Sequence, residues 1–176
     1  MLSQNKPVQL GLCCLNTILR SQKPSVFCSR KMIIRKIEEL GIEPLKLKIL
    51  QNLADLYKLI QWNEENGIKV LRISSELFPH KSNPKVENYN MDFADELLKK
   101  IGEYARSLNH RLTFHPGQYN VVGSPNEECF KQTISDLSYH AEVLDRMGMG
   151  VNSVMVVHGG GKYGDKQKTL DRWCDN

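Results

Sequence analysis

The chain has 176 residues, 40% of them hydrophobic and 25% charged, which excludes a disordered or fibrous polymer and fits one folded domain. Its net charge of +4 permits an anionic partner without demanding one. Five cysteines (Cys13, Cys14, Cys28, Cys129 and Cys174) contain no CxxC pair, so neither a disulfide framework nor a thiolate zinc site is indicated and a reducing compartment is expected.

From the amino terminus, MLSQNKPVQLGLCCLN has no long apolar run behind a basic flank, so neither a signal peptide nor a membrane span is expected. VQLGLCC (8–14) reads as a first strand, weakened by Gly11. Segment 20–42 reads as an insertion holding a loop and a short helix. A helix is expected over 45–65, with Leu50, Leu53, Tyr57 and Ile60 on one face. IKVLRISS (68–75) is the second strand. A helix over 91–108 carries Phe93, Leu97, Ile101 and Leu108, and RLTFH (111–115) is the third strand. The helix over 125–147 carries Phe130, Ile134, Leu137, Ala141 and Leu144, opened by a capping box from Ser124 to Glu127 with Pro125 at the first helical position. NSVMVVH (152–158) is the fourth strand, and YGDKQKTLDRWCDN begins another helix.

Strands that are apolar along their length and recur about every forty residues, with helices between them, point to parallel pairing under a helical cover. Four such units are half of a (β/α)8 barrel, so either half a barrel or a small open α/β sheet is expected. In both, ligands meet the carboxyl ends of the strands. There the sequence places Cys13, Cys14 and Asn16, then Ser74, Ser75 and Glu76, then His115, Gln118 and Tyr119, and last His158 with Gly159, Gly160 and Gly161.

Adjacent parallel strands lie about 4.8 Å apart, so His115 and His158 can converge on one metal site. Two imidazoles do not complete such a site, and Glu76 is the one strand-end carboxylate nearby. Alone, His115 would read equally well as a turn residue. His140 reads as a structural histidine on a helical face, and His80 and His110 as loop and helix-end residues. The three glycines read as an anion nest or as a flexible turn, and Cys13-Cys14 as strand packing. Gln118 and Tyr119, on a Pro-Gly turn, either fold back on the surface or wedge between bases.

LGLCCLN (10–16), LRISSELFPH (71–80), RLTFHPGQYNVVGSP (111–125), LSYHAEVLDRMG (137–148) and VMVVHGGGKYGDK (154–166) together resemble the UV damage endonuclease family. The resemblance runs from about residue 8 to the end. It implies a TIM-barrel (β/α)8 fold, of which residues 1–176 would form the amino-terminal part, about the first four βα units of one endonuclease domain. It implies metal-dependent nicking of DNA 5′ to UV photoproducts in excision repair, with a cluster of up to three divalent ions, commonly manganese. Residue by residue, His115 and His158 resemble metal ligands, Gln118 and Tyr119 the pair that probes the duplex, and Asn16 a residue of the lesion pocket. Leu12 stands where some members carry a tyrosine.

The family's remaining ligands come from the second half of the barrel, so this chain is expected to show little or no incision alone and to be a truncated or split protein, or the amino-terminal piece of a longer one. The implied partners are double-stranded DNA carrying UV lesions and a separate chain supplying the other half barrel. The implied location is intracellular, with the DNA. Two other readings compete: a non-catalytic damage-binding fragment, and a sugar-isomerase-like metal-dependent barrel, against which HPGQY speaks.

Overall fold

The structure, a computed structural model, describes residues 8–87 and 89–176. The expectation of no signal peptide falls partly on residues 1–7, outside that range. In chain order the elements are β1 (Gly11–Cys13), α1 (Thr17–Ser21), α2 (Ile34–Leu40), α3 (Glu43–Glu65) and β2 (Val70–Ile73). A 3-10 turn (Asp92–Ala94) leads into α4 (Asp95–Ser107), followed by β3 (Arg111–Phe114), α5 (Glu127–Arg146) and α6 (Lys166–Asp175). The strands form one parallel sheet in the order β1-β2-β3, with Leu12, Leu71 and Leu112 in register.

Alternate residues of a strand face opposite sides of the sheet, and the two sides here differ. Leu71, Ile73, Leu112 and Phe114 are at most 1% exposed and join the core under the helices. On the other side Cys13 and Arg111 are exposed. So are Val154 and Val156 of the fourth strand-like segment, at 38% and 51%. Helices therefore line one face, and the opposite face, which carries the strand-end histidines, is largely open, with Thr113 buried on it.

The fourth strand expected over 152–158 is reduced to a single parallel bridge, Phe114 to Met155. Phe114 N–H donates to Val154 O at 3.1 Å, and Val156 N–H donates to Phe114 O at 3.0 Å. The ladder stops because its partner stops: β3 turns at Pro116, which has no N–H to offer. At the other end the Arg111 side chain occupies Asn152 O at 2.7 Å.

The long helix α3 buries Leu45, Ile49, Leu53, Leu56 and Ile60 completely, the spacing of one helical face. That face is turned slightly from the expected one, and Leu50 and Tyr57 sit at its flanks half-buried. Tyr57 instead meets Tyr104 of α4, ring centroids 4.7 Å apart. The insertion is tied down by Asn52 of α3, fully buried, which accepts from Arg30 N–H at 2.8 Å and donates to Arg30 O at 3.0 Å and Leu77 O at 3.2 Å.

Helix α5 is capped by Asn126 rather than by the expected box at Ser124. Asn126 Oδ1 accepts from Cys129 N–H at 2.9 Å, while Ser124 Oγ accepts from Asn126 N–H at 3.2 Å. Pro125 thus precedes the helix, and asparagine, a strong N-cap, takes the terminus. The buried side of α5 is Thr133, His140, Val143 and Leu144; Ile134 is 41% exposed. Among the described residues no helix is long and apolar enough to cross a membrane.

Candidate functional site

The carboxyl ends of the strands bring His115 and His158 together. Their imidazoles stack with centroids 4.5 Å apart and planes inclined by 21°. His115 follows the last residue of β3, while His158 lies three residues past the Met155 bridge, and both are half-buried. Burial, the His158 ring and the Arg72 guanidinium, in that order, lower the His115 pKa from its usual value. The shift favours the neutral ring.

Arg72 belongs to the LRISSELFPH motif, which assigns it no chemistry beyond strand-tip structure and DNA approach. It leaves the open side of β2 and reaches across both neighbouring strand ends. Nη1 lies 2.9 Å from His115 Nδ1, and Nε donates to Cys14 Sγ at 3.4 Å. Cys14 itself takes a left-handed backbone, φ 62°. Among the described residues no carboxylate pairs with Arg72. An arginine inside the otherwise apolar strand VLRI was the signal available in the sequence.

Gln118 and Tyr119 stand out from the domain on a tight turn, with Tyr119 82% exposed. The turn is anchored from below. Asn120, 9% exposed, donates through Nδ2 to Gly117 O at 3.1 Å and to Asp136 Oδ2 at 2.7 Å, and its N–H returns to Gly117 O at 3.0 Å. The next residues are clasped by α6 and by the loop after His158. Arg172 Nε donates to Gly123 O at 3.0 Å, and Trp173 Nε1 donates to Gly159 O at 3.1 Å. Gly160, at φ 72°, packs so closely on Val121 that a Cβ there would overlap Val121 Cγ1. The protruding phenol is thus carried by a rigid base that also touches the histidine-bearing loop.

Asn16 is placed differently from the other candidates. It is 6% exposed and caps α1, with Oδ1 accepting from Leu19 N–H at 2.9 Å. Its Nδ2 hydrogens are buried without a partner. Glu76 does not join the histidines; it pairs with Lys31 at 3.6 Å.

The remaining histidines are structural. His140, 1% exposed, has Nδ1 2.8 Å from Asp136 O and Nε2 3.1 Å from the Tyr139 hydroxyl, which in turn lies 2.8 Å from Ser75 O. His110 Nε2 meets Glu64 at 2.8 Å and His80 Nε2 meets Met32 O at 2.7 Å. All five cysteines are free, and burial pushes the Cys28 thiol up to about 12.

Imidazole suits borderline divalent ions such as zinc, iron or nickel, whereas manganese also calls for carboxylate or water oxygens. The stacked rings supply two imidazole donors of the kind such an ion takes. Among the described residues no group of three or more His, Cys, Asp or Glu side chains could hold a metal ion, so the donor set stops at two.

The model of the UV-endonuclease UvdE family matches residues 8–176. A putative UV-damage endonuclease of Acanthamoeba polyphaga mimivirus is 43% identical over 173 residues, covering 96% of this chain and 52% of that protein. The UV-damage endonuclease of Schizosaccharomyces pombe is 44% identical over 180 residues, covering 98% of this chain and 30% of that protein. The crystal structure of SacUVDE superposes with a TM-score of 0.84 at 27% identity, covering 96% of this chain and 55% of that one. The chain thus spans about half or less of the length of these relatives. In the two curated relatives the matched segment and the remainder are one polypeptide, so they lend no support to a separate partner chain. A family match across all but the first seven residues, on a parallel sheet that superposes on a solved relative, makes this chain a member of the UV-endonuclease UvdE family.

Proposed function

We propose that this chain is the amino-terminal half of a TIM-barrel DNA-repair endonuclease domain that nicks duplex DNA 5′ to UV photoproducts, and that it carries the lesion probe and two ligands of a divalent-metal site. One observation carries the reading: two stacked imidazoles at neighbouring strand ends, beside an exposed tyrosine on an anchored turn. The open face of the sheet supports the half-barrel assignment, because a closed barrel would bury it. The names of the relatives favour a nuclease over a sugar-isomerase-like barrel.

His115 and His158 would hold the metal, manganese being the family's usual ion, and the surroundings of His115 favour the neutral ring that a ligand must present. When bound, a divalent cluster supplies a hydroxide nucleophile at neutral pH and neutralises charge developing on the phosphate. The chain's own residues do the recognition. Tyr119 and Gln118 enter the duplex where a photoproduct has weakened stacking and pairing, so opening costs less there than at normal bases. Asn120, held by Asp136, keeps the turn from folding away as the DNA is opened. Asn16, with two unpaired buried N–H bonds, is poised to donate to a lesion base once the pocket is assembled. The protein acts where the DNA is, inside the cell.

The test incubates the 176-residue chain with manganese and either irradiated or unirradiated duplex. Preferential retention of irradiated DNA with little nicking is expected, because the ligand set stops at two imidazoles. Equal retention of both duplexes would refute the lesion-probe reading. Robust 5′ nicking would refute the view that ligands from elsewhere are needed.

A further inference from the structure

The contact between Arg72 and His115 has a chemical meaning of its own. A guanidinium carries N–H donors and no acceptor. The 2.9 Å approach of Nη1 to Nδ1 is therefore a hydrogen bond only if Nδ1 presents its lone pair. In a neutral ring the proton then sits on Nε2. The guanidinium is held on this line by its second bond, Nε to Cys14 Sγ, and by the strand beneath it, whose Arg72 is in register with Cys13 and Thr113.

From this geometry we infer that Arg72 is a positioning residue that locks His115 in the Nε2–H tautomer and closes it to metal, so that an ion can take His115 only by displacing Arg72. The second half of that statement rests on the reading of the histidine pair as a metal site; the first does not. Every route to coordination breaks the same bond. Ligation through Nε2 needs the proton moved to Nδ1, where it faces another donor. Ligation through Nδ1 puts the ion and the guanidinium in competition for one lone pair. Turning the ring over presents a carbon to Arg72. Ligating histidines ordinarily donate their second N–H to an acceptor, and Arg72 offers the reverse.

The two halves are tested separately. Long-range 15N–1H correlation spectra of the metal-free chain, at a pH where His115 is neutral, should show a protonated Nε2 and a bare Nδ1. A protonated Nδ1 would overturn the proposal, and neither metal nor DNA enters the measurement.

Calorimetric titration with Mn2+ or Zn2+ alone then compares the native chain with Arg72→Lys and Arg72→Gln. Lysine is also donor-only and should leave affinity nearly unchanged. Glutamine can turn its carbonyl to an Nδ1 proton, and should bind metal about tenfold tighter or more, the scale on which partners of ligating histidines act. The gain should persist at high salt, where charge repulsion is screened. A gain that salt abolishes would assign the effect to charge alone and overturn the displacement, as would a glutamine variant that binds no tighter. If none of the three proteins binds metal, the metal-site reading and the displacement fail together, and the NMR result still decides the tautomer lock.

Discussion

Replacing Gly160 by alanine probes the junction between the histidine-bearing loop and the base of the probe turn. Gly160 has φ 72°, a region in which an L residue costs about 1–2 kcal/mol. The new methyl would overlap Val121 Cγ1 and lie 3.4 Å from both Cβ and Cγ2. Val121 is 7% exposed, and a β-branched side chain is stiff at χ1, so it yields poorly. Overpacking of that kind adds about 1–3 kcal/mol. Together the two effects predict a loss of about 2–5 kcal/mol.

Urea unfolding of the chain measures this loss, with Gly161→Ala as control. At Gly161 a Cβ meets nothing within 4 Å, so the change should stay within about 0.5 kcal/mol. A Val121→Ala partner completes a double-mutant cycle, which should return a coupling of about 1–3 kcal/mol as the overlap is relieved. Hydrogen exchange should quicken over residues 119–124 in the Gly160 variant. If Gly160→Ala behaves as Gly161→Ala does, or the two single changes simply add, the loop is not seated on Val121 and the rigid base is refuted.

Tyr119→Ala should leave stability within about 0.5 kcal/mol, since the side chain is 82% exposed, yet weaken retention of irradiated duplex by the about 1–3 kcal/mol typical of aromatic stacking on bases; gel-shift titration reads this, and unchanged retention removes the ring from recognition. Asn52→Ala strands the N–H and C=O of Arg30 and should cost about 1–3 kcal/mol in urea unfolding, loosening the insertion first, whereas a near-neutral result would mean that water replaces the amide. Glu64 has its pKa lowered by its hydrogen bonds to Lys69 and then His110, so it adds stability above the ordinary carboxylate range that is lost as pH falls through the lowered value. Glu64→Gln should flatten that acid limb of the stability profile, and an unaltered limb would place the dependence elsewhere.

Much of the architecture was legible because it is written in local periodicity. The apolar runs at 68–75 and 111–115, with the weaker one at 8–14, became the three parallel strands, and the helical spacings between them became α3, α4 and α5. The histidine pair could be anticipated for the same reason: parallel strands align their ends, and two of those ends carry imidazoles. What local pattern could not decide was how much of each run finds a partner. The run at 152–158 has strand composition, yet it pairs only at Met155, because a ladder needs N–H groups from both sides and β3 turns away at Pro116. The cap of α5 moved from Ser124 to Asn126 by a similar competition between two adequate caps, which spacing alone leaves undecided.

The sequence by itself determined a helix-covered parallel sheet, the strand-end positions of His115 and His158, and the Pro-Gly turn bearing Tyr119, whose exposure the tertiary structure decided. Tertiary structure alone decided what surrounds them: the guanidinium of Arg72 against His115, Asp136 beneath Asn120, Trp173 over Gly123 and Gly160 on Val121. Those contacts join residues 43, 16, 50 and 39 positions apart, and they exist only because the sheet aligns strand ends that the chain keeps distant.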